Sequence, residues 1–299
     1  MIKYIKRKNL DTKKYDNCIE NALNSRVYAF SWYLDIVADN WDVLVLNDYE
    51  AVMPLPWRRK YLIKYIYQPF WLLQVGVFQR VESVDLDLFL KEVKSYFLFS
   101  ELRMNTGNRF NEFNENKVES TMQVISLENS YEEIYSKYSR NRKRDCKKAK
   151  ENRLQEVWGD NPSKLVNLFS DNIGDRTPQI KQKDYDTLLK LLQTCVNKGV
   201  GEMLSIYDTN SRLVSAAFFI NYKERATELV CASDFDNRSN GGNTFFNDRA
   251  IYRYQTSYSL FDFGGSSMDT ISSYYKSYGA KDEFYDLIKF NKFPSFLKK

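Results

Sequence analysis

Residues 201–290 constrain the fold most. GEMLSIYD, RLVSAAFFIN and ATELVCASD are three consecutive runs rich in β-branched and aromatic residues, and DNRSNGGN after them is dense in turn formers. A helical period returns over 244–257, with Phe246, Ala250, Ile251 and Tyr254 on one arc. SLFDFGG (259–265) reads as a further strand. Ile271, Tyr274, Tyr275 and Tyr278 carry the i, i+3, i+4, i+7 stripe of another helix, and EFYDLIKFN closes as a strand. Three strands, a glycine loop, then helix, strand, helix and strand require a sheet covered by helices. The expected class is therefore α/β (α+β), a mixed sheet flanked by helices.

Upstream of these strands the pattern predicts helices over 130–152, 162–173 and 181–198. The first opens on Ser130 with Glu133 three residues on, a capping-box spacing. The first half has a looser form of the same order. Helices are expected at 16–24 and 28–39, a strand at WDVLVLN (41–47) and extended segments over 51–78. Leu86, Leu90, Val93 and Phe97 mark a helix across 84–97, and strands LFSELRMN and TMQVISL flank a polar loop at 107–120. The repeated order predicts two domains, 1–128 and 129–299, and 299 residues suffice for two of ordinary size.

The chain contains no histidine. Nucleophile systems that need one, Ser-His-Asp or Cys-His, are excluded, as are His-ligated metal sites. Cys18, Cys146, Cys195 and Cys231 form no CxxC pair, so no metal is expected, and free thiols of a cytoplasmic protein are. The N-terminus lacks an apolar h-region, and no run reaches the ~20 apolar residues of a membrane span. Proton chemistry falls to carboxylates, Tyr, Lys, Cys, water or the ligand.

Charge is local. YSRNRKRDCKKAKENR (138–153) holds eight Lys or Arg in sixteen residues, and without it the net charge of +5 falls close to zero. On a helix starting near 130, Tyr131, Tyr135, Tyr138, Arg142, Cys146 and Ala149 share one stripe, while Arg140, Lys143, Arg144, Lys147, Lys148 and Lys150 spread over solvated faces. Arg142 on a buried stripe requires an anionic partner, either a structural carboxylate or a ligand phosphate. DNA binding is not expected, because only one helix is basic and no nucleic-acid fold is recognisable.

RSNGGN (238–243) between a strand and a helix can bring several N–H groups to one point beside a positive helix end, a setting for phosphate that Arg238 could reinforce. Arg238-x-x-Gly241-x-Asn243 resembles the pyrophosphate loop of GNAT-superfamily acyltransferases, Gln/Arg-x-x-Gly-x-Gly/Ala, with Asn243 in place of the small residue. Tyr275-Lys-Ser-Tyr-Gly279-Ala280 resembles that superfamily's Tyr-x-x-x-Gly-Phe segment. SRNRKRDCKKAKENRL, FDFGGS and SYYKSYGAKDEFYDLI, in that order, look like the FemABX-type branch, whose members carry two tandem GNAT domains and include ligases that attach amino acids to cell-wall precursors.

The resemblance implies acyl transfer from acyl-CoA (acetyl-CoA) to an amine or hydroxyl, such as a cell-envelope precursor, by direct attack. It implies a donor site on Arg238, Asn240, Gly241, Gly242, Asn243 and Thr244. The strand at Val230, Cys231 and Ala232 would carry the acyl arm, Glu228 or Asp262 would take the proton and Tyr275 would serve the departing thiolate. A non-catalytic GNAT-like binding module and an aminoacyl-tRNA-dependent ligase are the alternatives. The ligase would use the basic helix for RNA phosphates.

Overall fold

The computed structural model describes the chain except Tyr61, Asp175, Arg176, Pro178, Ser266, Ser267, residues 294–299 and the side chains of Ile173, Asn237 and Arg238. Two compact units emerge, one of Met1–Ser120 with the chain from Phe284 onward, the other of Thr121–Glu283. The division falls eight residues before the one expected at 128. The last strand carries the chain back into the first unit, a return that local periodicity does not encode.

The first unit contains β1 (Ile2–Lys6), α1 (Thr12–Glu20), α2 (Ser31–Val37), β2 (Trp41–Leu46), β3 (Ala51–Lys60), β4 (Ile63–Ile66), β5 (Phe78–Gln79), α3 (Asp87–Tyr96) and β6 (Phe99–Arg103). β1 to β4 pair in sequence order and antiparallel, with β5 also on β3. Val43, Leu44, Val45, Val52 and Met53 are fully buried, which a central, two-sided strand pair requires. The extended runs expected over 61–78 reduce to β4 and one end of β5; Pro69 and the lone bridge of Val75 to Met104 leave the rest as loop.

The second unit contains β7 (Lys117–Ser126), α4 (Tyr131–Ser136), α5 (Arg140–Glu151), β8 (Gln155–Trp158), α6 (Pro162–Ile173), α7 (Gln182–Asn197), β9 (Gly201–Tyr207), β10 (Leu213–Tyr222), β11 (Arg225–Ser233), α8 (Gly242–Tyr254), β12 (Leu260–Asp262), α9 (Asp269–Lys276) and β13 (Lys281–Asn291); β7 begins and β13 ends in the first unit. Its strands lie in the order β7-β12-β11-β10-β9-β8, antiparallel except for β11 beside β12. Ala217, Phe219, Leu204 and Ile206 on one face bury Phe246, Ala250, Ile251 and Tyr254 of α8. The other face carries Gly201, where a Cβ would meet Cys195 of α7 at 2.6 Å.

The single helix expected over 130–152 is two. Ser130 and Glu133 form the capping box of α4, but Ser139 leaves helical geometry and caps α5, accepting from Arg142 N–H at 3.3 Å. The Ser139 N–H turns instead to the Ser277 carbonyl at 2.8 Å. A serine competes well for this role because its hydroxyl replaces a lost intrahelical bond. β8 has no counterpart in the sequence reading, since its exposed QEVW lacks alternation.

Candidate active site

The site arises where two parallel strands stop pairing. β11 and β12 are in register only from Arg225–Leu260 to Thr227–Asp262. Beyond that, Gly264 sits at φ +73°, and a Cβ there would lie 2.2 Å from the Glu228 carbonyl oxygen. Only glycine fits that turn and approach. From Glu228 onward the edge of β11 away from β10 therefore has no strand beside it among the described residues.

A bulge determines which side chains enter the gap. Phe218 opposes Val230 but Phe219 opposes Glu228, so Leu229 is the extra residue. Glu228 and Cys231, three apart, would face opposite sides of a regular strand. The bulge turns both toward α8 and α9. With Asn243, Phe246, Asn247, Thr270, Ile271, Tyr274 and Tyr275 they line a cavity of about 280 Å³.

Glu228 is 4% exposed and its Oε2 has no partner. Burial, joined by the negative charge of Asp262, pushes its pKa up to about 7, while contacts with the Cys231 thiol and the Tyr275 hydroxyl pull the other way. Burial and the neighbouring Glu228 hold the Tyr275 hydroxyl and the Cys231 thiol well above their ordinary values, so both are protonated donors at neutral pH. Tyr275 stacks on Phe263 with ring centres 4.4 Å apart, which fixes its direction. Asn247 on α8, 1% exposed, presents a second unpaired acceptor, its Oδ1, to the same cavity.

Next to it lies a second cavity of about 270 Å³, lined by Arg142, Asp145, Lys148, Ser239, Gly241, Asn243, Thr244 and Tyr274. Asn243 and Tyr274 line both. The loop meets α5 at Gly241, where φ is +89° and a Cβ would stand 2.4 Å from the Asp145 carbonyl oxygen. α8 starts there: Phe245 N–H is the first to reach back into the helix, to Gly241 O at 2.9 Å, and the Asn240 side chain holds Gly242 N–H at 2.7 Å. The N–H groups of Asn243 and Thr244 are thus left for an outside acceptor at the positive end of the helix.

Arg142 completes this corner. Its guanidinium donates to Thr244 Oγ1 at 2.8 Å, pairs with Asp145 at 2.9 Å and stands 4.4 Å over the Tyr274 ring, while Nε is buried without a partner. The structural carboxylate that the sequence left open exists, as Asp145, yet one guanidinium donor remains unmatched beside the cavity.

The residues singled out from sequence separate into groups. Glu228, Cys231, Asn243 and Tyr275 share the first cavity; Gly241, Asn243, Thr244 and Arg142 share the second. Asn240 braces its own loop. Val230 and Ala232 are buried, and Val230 pairs across from Phe218. The side chain of Arg238 lies outside the described residues. Asp262 does not reach the cavity: its Oδ2 accepts from Arg225 at 2.8 Å and its Oδ1 from Gly264 N–H at 2.9 Å. Sequence reasoning missed Arg225, which is buried and bound to both Asp262 and Glu283, and it missed Asn247 and Tyr274. The only signal for Arg225 was a charge opening a buried strand.

Gly241→Ala is expected to cost about 2–3 kcal/mol in urea unfolding, because it adds a Cβ at positive φ against the α5 backbone. A loss below ~0.5 kcal/mol would show that loop and helix can separate without penalty.

No family model and no curated protein matches the chain. Solved structures do. FemX aligns at TM-score 0.64 and 9% identity over 96% of this chain and 97% of its own. A conserved protein of unknown function from Bacteroides thetaiotaomicron aligns at 0.62 and 12% over 96% and 100%. A tandem GNAT protein from the clavulanic acid biosynthesis pathway aligns at 0.55 and 8% over 99% and 100%. At such identities the likeness establishes the fold alone: the chain shares the fold of FemX over 96% of its length and that of the tandem GNAT protein over 99%.

Proposed function

We propose that the second unit transfers an acyl group from a phosphate-bearing donor, acetyl-CoA in the first instance, to an amine or hydroxyl. The observation that carries this reading is Glu228: a buried carboxyl with a pKa near neutrality and an unpaired oxygen, at the head of a gap that adjoins an anion-binding corner. Donor phosphates would rest on the N–H groups of Asn243 and Thr244 and on Arg142, and the acyl arm would run along the unpaired edge of β11 at Val230–Ala232. The acceptor nitrogen or oxygen attacks the thioester carbonyl directly. Glu228 takes its proton, the C–S bond breaks, and Tyr275 supplies a proton to the departing sulfur. Atoms balance: thioester plus amine gives amide plus thiol. Asp262, held by Arg225, acts as a brace for the Gly264 turn. A cell-envelope precursor as acceptor comes from the FemABX resemblance and a cytoplasmic location from the unpaired cysteines; among the described residues no helix is long and apolar enough to cross a membrane.

A second reading, an aminoacyl-tRNA donor, is favoured by α5, where Arg140, Arg144, Lys147, Lys148 and Lys150 are exposed and Lys148 lines the anion corner. Thermal unfolding separates the readings. With acetyl-CoA at a hundredfold excess over Kd the chain should gain about 2.7 kcal/mol, a rise of about 4–8 °C. Arg142→Gln should remove most of that rise, and a nucleotide control should give little. No shift with acetyl-CoA or CoA would sink the acyl-CoA reading. Binding of charged tRNA would then support the second, and silence with both donors a non-catalytic module.

A further inference from the structure

The cavity headed by Glu228 holds a thiol as well as a base. Of the four cysteines only Cys231 is less than fully buried; Cys18, Cys146 and Cys195 lie inside the cores and line no part of this cavity. Cys231 stands on β11 opposite Ala217, on the stretch that has lost its neighbour strand, and the bulge at Leu229 turns its side chain to the side of Glu228. Thiol and carboxyl are in contact there, and the same carboxyl touches the Tyr275 hydroxyl.

A second observation marks the cavity as a place that a ligand enters. Glu228 Oε2 and Asn247 Oδ1, on residues 4% and 1% exposed, are unpartnered on its wall. An acceptor left open at this depth is costly unless something entering the cavity answers it.

The thiol is quiet toward bulk solvent. Burial and the neighbouring Glu228 keep it protonated at neutral pH, so a dissolved electrophile meets a thiol and not the far more nucleophilic thiolate. A base in contact lifts that restriction for an electrophile bound in the gap, as an adjacent base activates a serine. The acyl arm along Val230–Ala232 would pass Cys231 itself, and proximity favours attack.

We propose that Cys231 is an acylation site: with donor bound and no acceptor in the gap, its Sγ takes the acyl group and holds it as a thioester. The inference rests on acyl-CoA being the donor. Sγ attacks the thioester carbonyl while Glu228 takes the thiol proton. The C–S bond to coenzyme A breaks, Tyr275 protonates the departing sulfur, and Glu228 returns its proton to the Tyr275 oxygen that it touches. One thioester and one thiol give another thioester and another thiol, so no oxidant or reductant is needed. The acylated side chain then masks Glu228 from an incoming acceptor until another thiol removes the group.

The full chain is incubated with acetyl-CoA and no acceptor, quenched in acid, and followed by intact mass and peptide mapping. Hydroxylamine separates thioesters from amides. Thermal unfolding with acetyl-CoA runs beside it, and circular dichroism melts check that Cys231→Ala and Glu228→Gln fold. One hydroxylamine-labile acetyl group on Cys231 is expected, formed at a rate that rises with pH and levels off above about 7. Cys231 and Tyr275 stay protonated through that range and Asp262 is bound to Arg225, so the limb belongs to Glu228. Glu228→Gln should slow the labelling about 100-fold or more. Cys231→Ala should abolish it and keep the thermal rise, and an acetyl thioester without nucleotide phosphates should leave Cys231 unmodified over the same time. A thermal rise with no labile acetyl on Cys231 overturns this site and leaves the donor reading standing, whereas neither rise nor label removes both. Labelling indifferent to Glu228→Gln, still climbing through the ordinary thiol range at about 8.5, would be free thiolate chemistry and would overturn the proposal as well.

Discussion

Glu228→Gln is expected to lower kcat/KM for acyl transfer by about 10²–10⁴-fold, the span of a lost general base. The wild-type rate should rise with pH and level off above about 7, where the carboxyl is ionised, and the variant should lose that limb. Stability moves the opposite way. The folded pKa, about 7, is raised above the ordinary 4.5. Below the lower value both states hold the proton and the folded chain has no penalty; between the two, only the folded chain keeps it. Stability therefore falls as pH rises across this window, by up to about 3 kcal/mol for a shift of this size. Glutamine cannot ionise, so the variant should match the wild type near pH 4.5 and exceed it at pH 8. Urea unfolding at both values checks the sign. A variant with full activity, or with no gain at pH 8, would remove Glu228 from the role of buried base.

Arg225→Met should be the most destabilising single change in the second unit. The Arg225 side chain is 7% exposed and answers two carboxylates, Asp262, 5% exposed, and Glu283, 28% exposed. Without it Asp262 is a buried charge with no counter-ion, at a cost of about 3–5 kcal/mol. The cost should be smaller in the Arg225→Met/Asp262→Asn double variant, because the stranded charge is then gone. Activity should fall even where the variant still folds, since Asp262 also fixes the Gly264 turn that keeps β12 away from Glu228. A midpoint shift worth less than ~1 kcal/mol would mean that the triad does not brace the splayed strands.

How much of this was legible beforehand differs from residue to residue. The period of Phe246, Ala250, Ile251 and Tyr254 announced α8, and Ser130 with Glu133 announced the start of α4, because both signals are local. The break at Ser139 was not legible: an unbroken helical period runs through it, and the turn is set by Ser277 and Gly279, more than 130 residues away. Asp262 read as a strand end before two glycines, fit to take a proton, and only the sheet order brings Arg225 and Glu283 to it.

The sequence by itself determined the class of fold, the glycine loop, the absence of histidine chemistry and the one basic helix, since composition and period are properties of neighbouring residues. Tertiary structure alone decided which side chains face the gap. A single extra residue at Leu229 turns Glu228 and Cys231 to the same side, and close packing at Gly241 delivers Arg142 to the anion corner. Whether a buried charge is a brace or a base depends on what lies within a few ångströms of it, and for Asp262 and Glu228 those neighbours come from strands and helices remote in the chain.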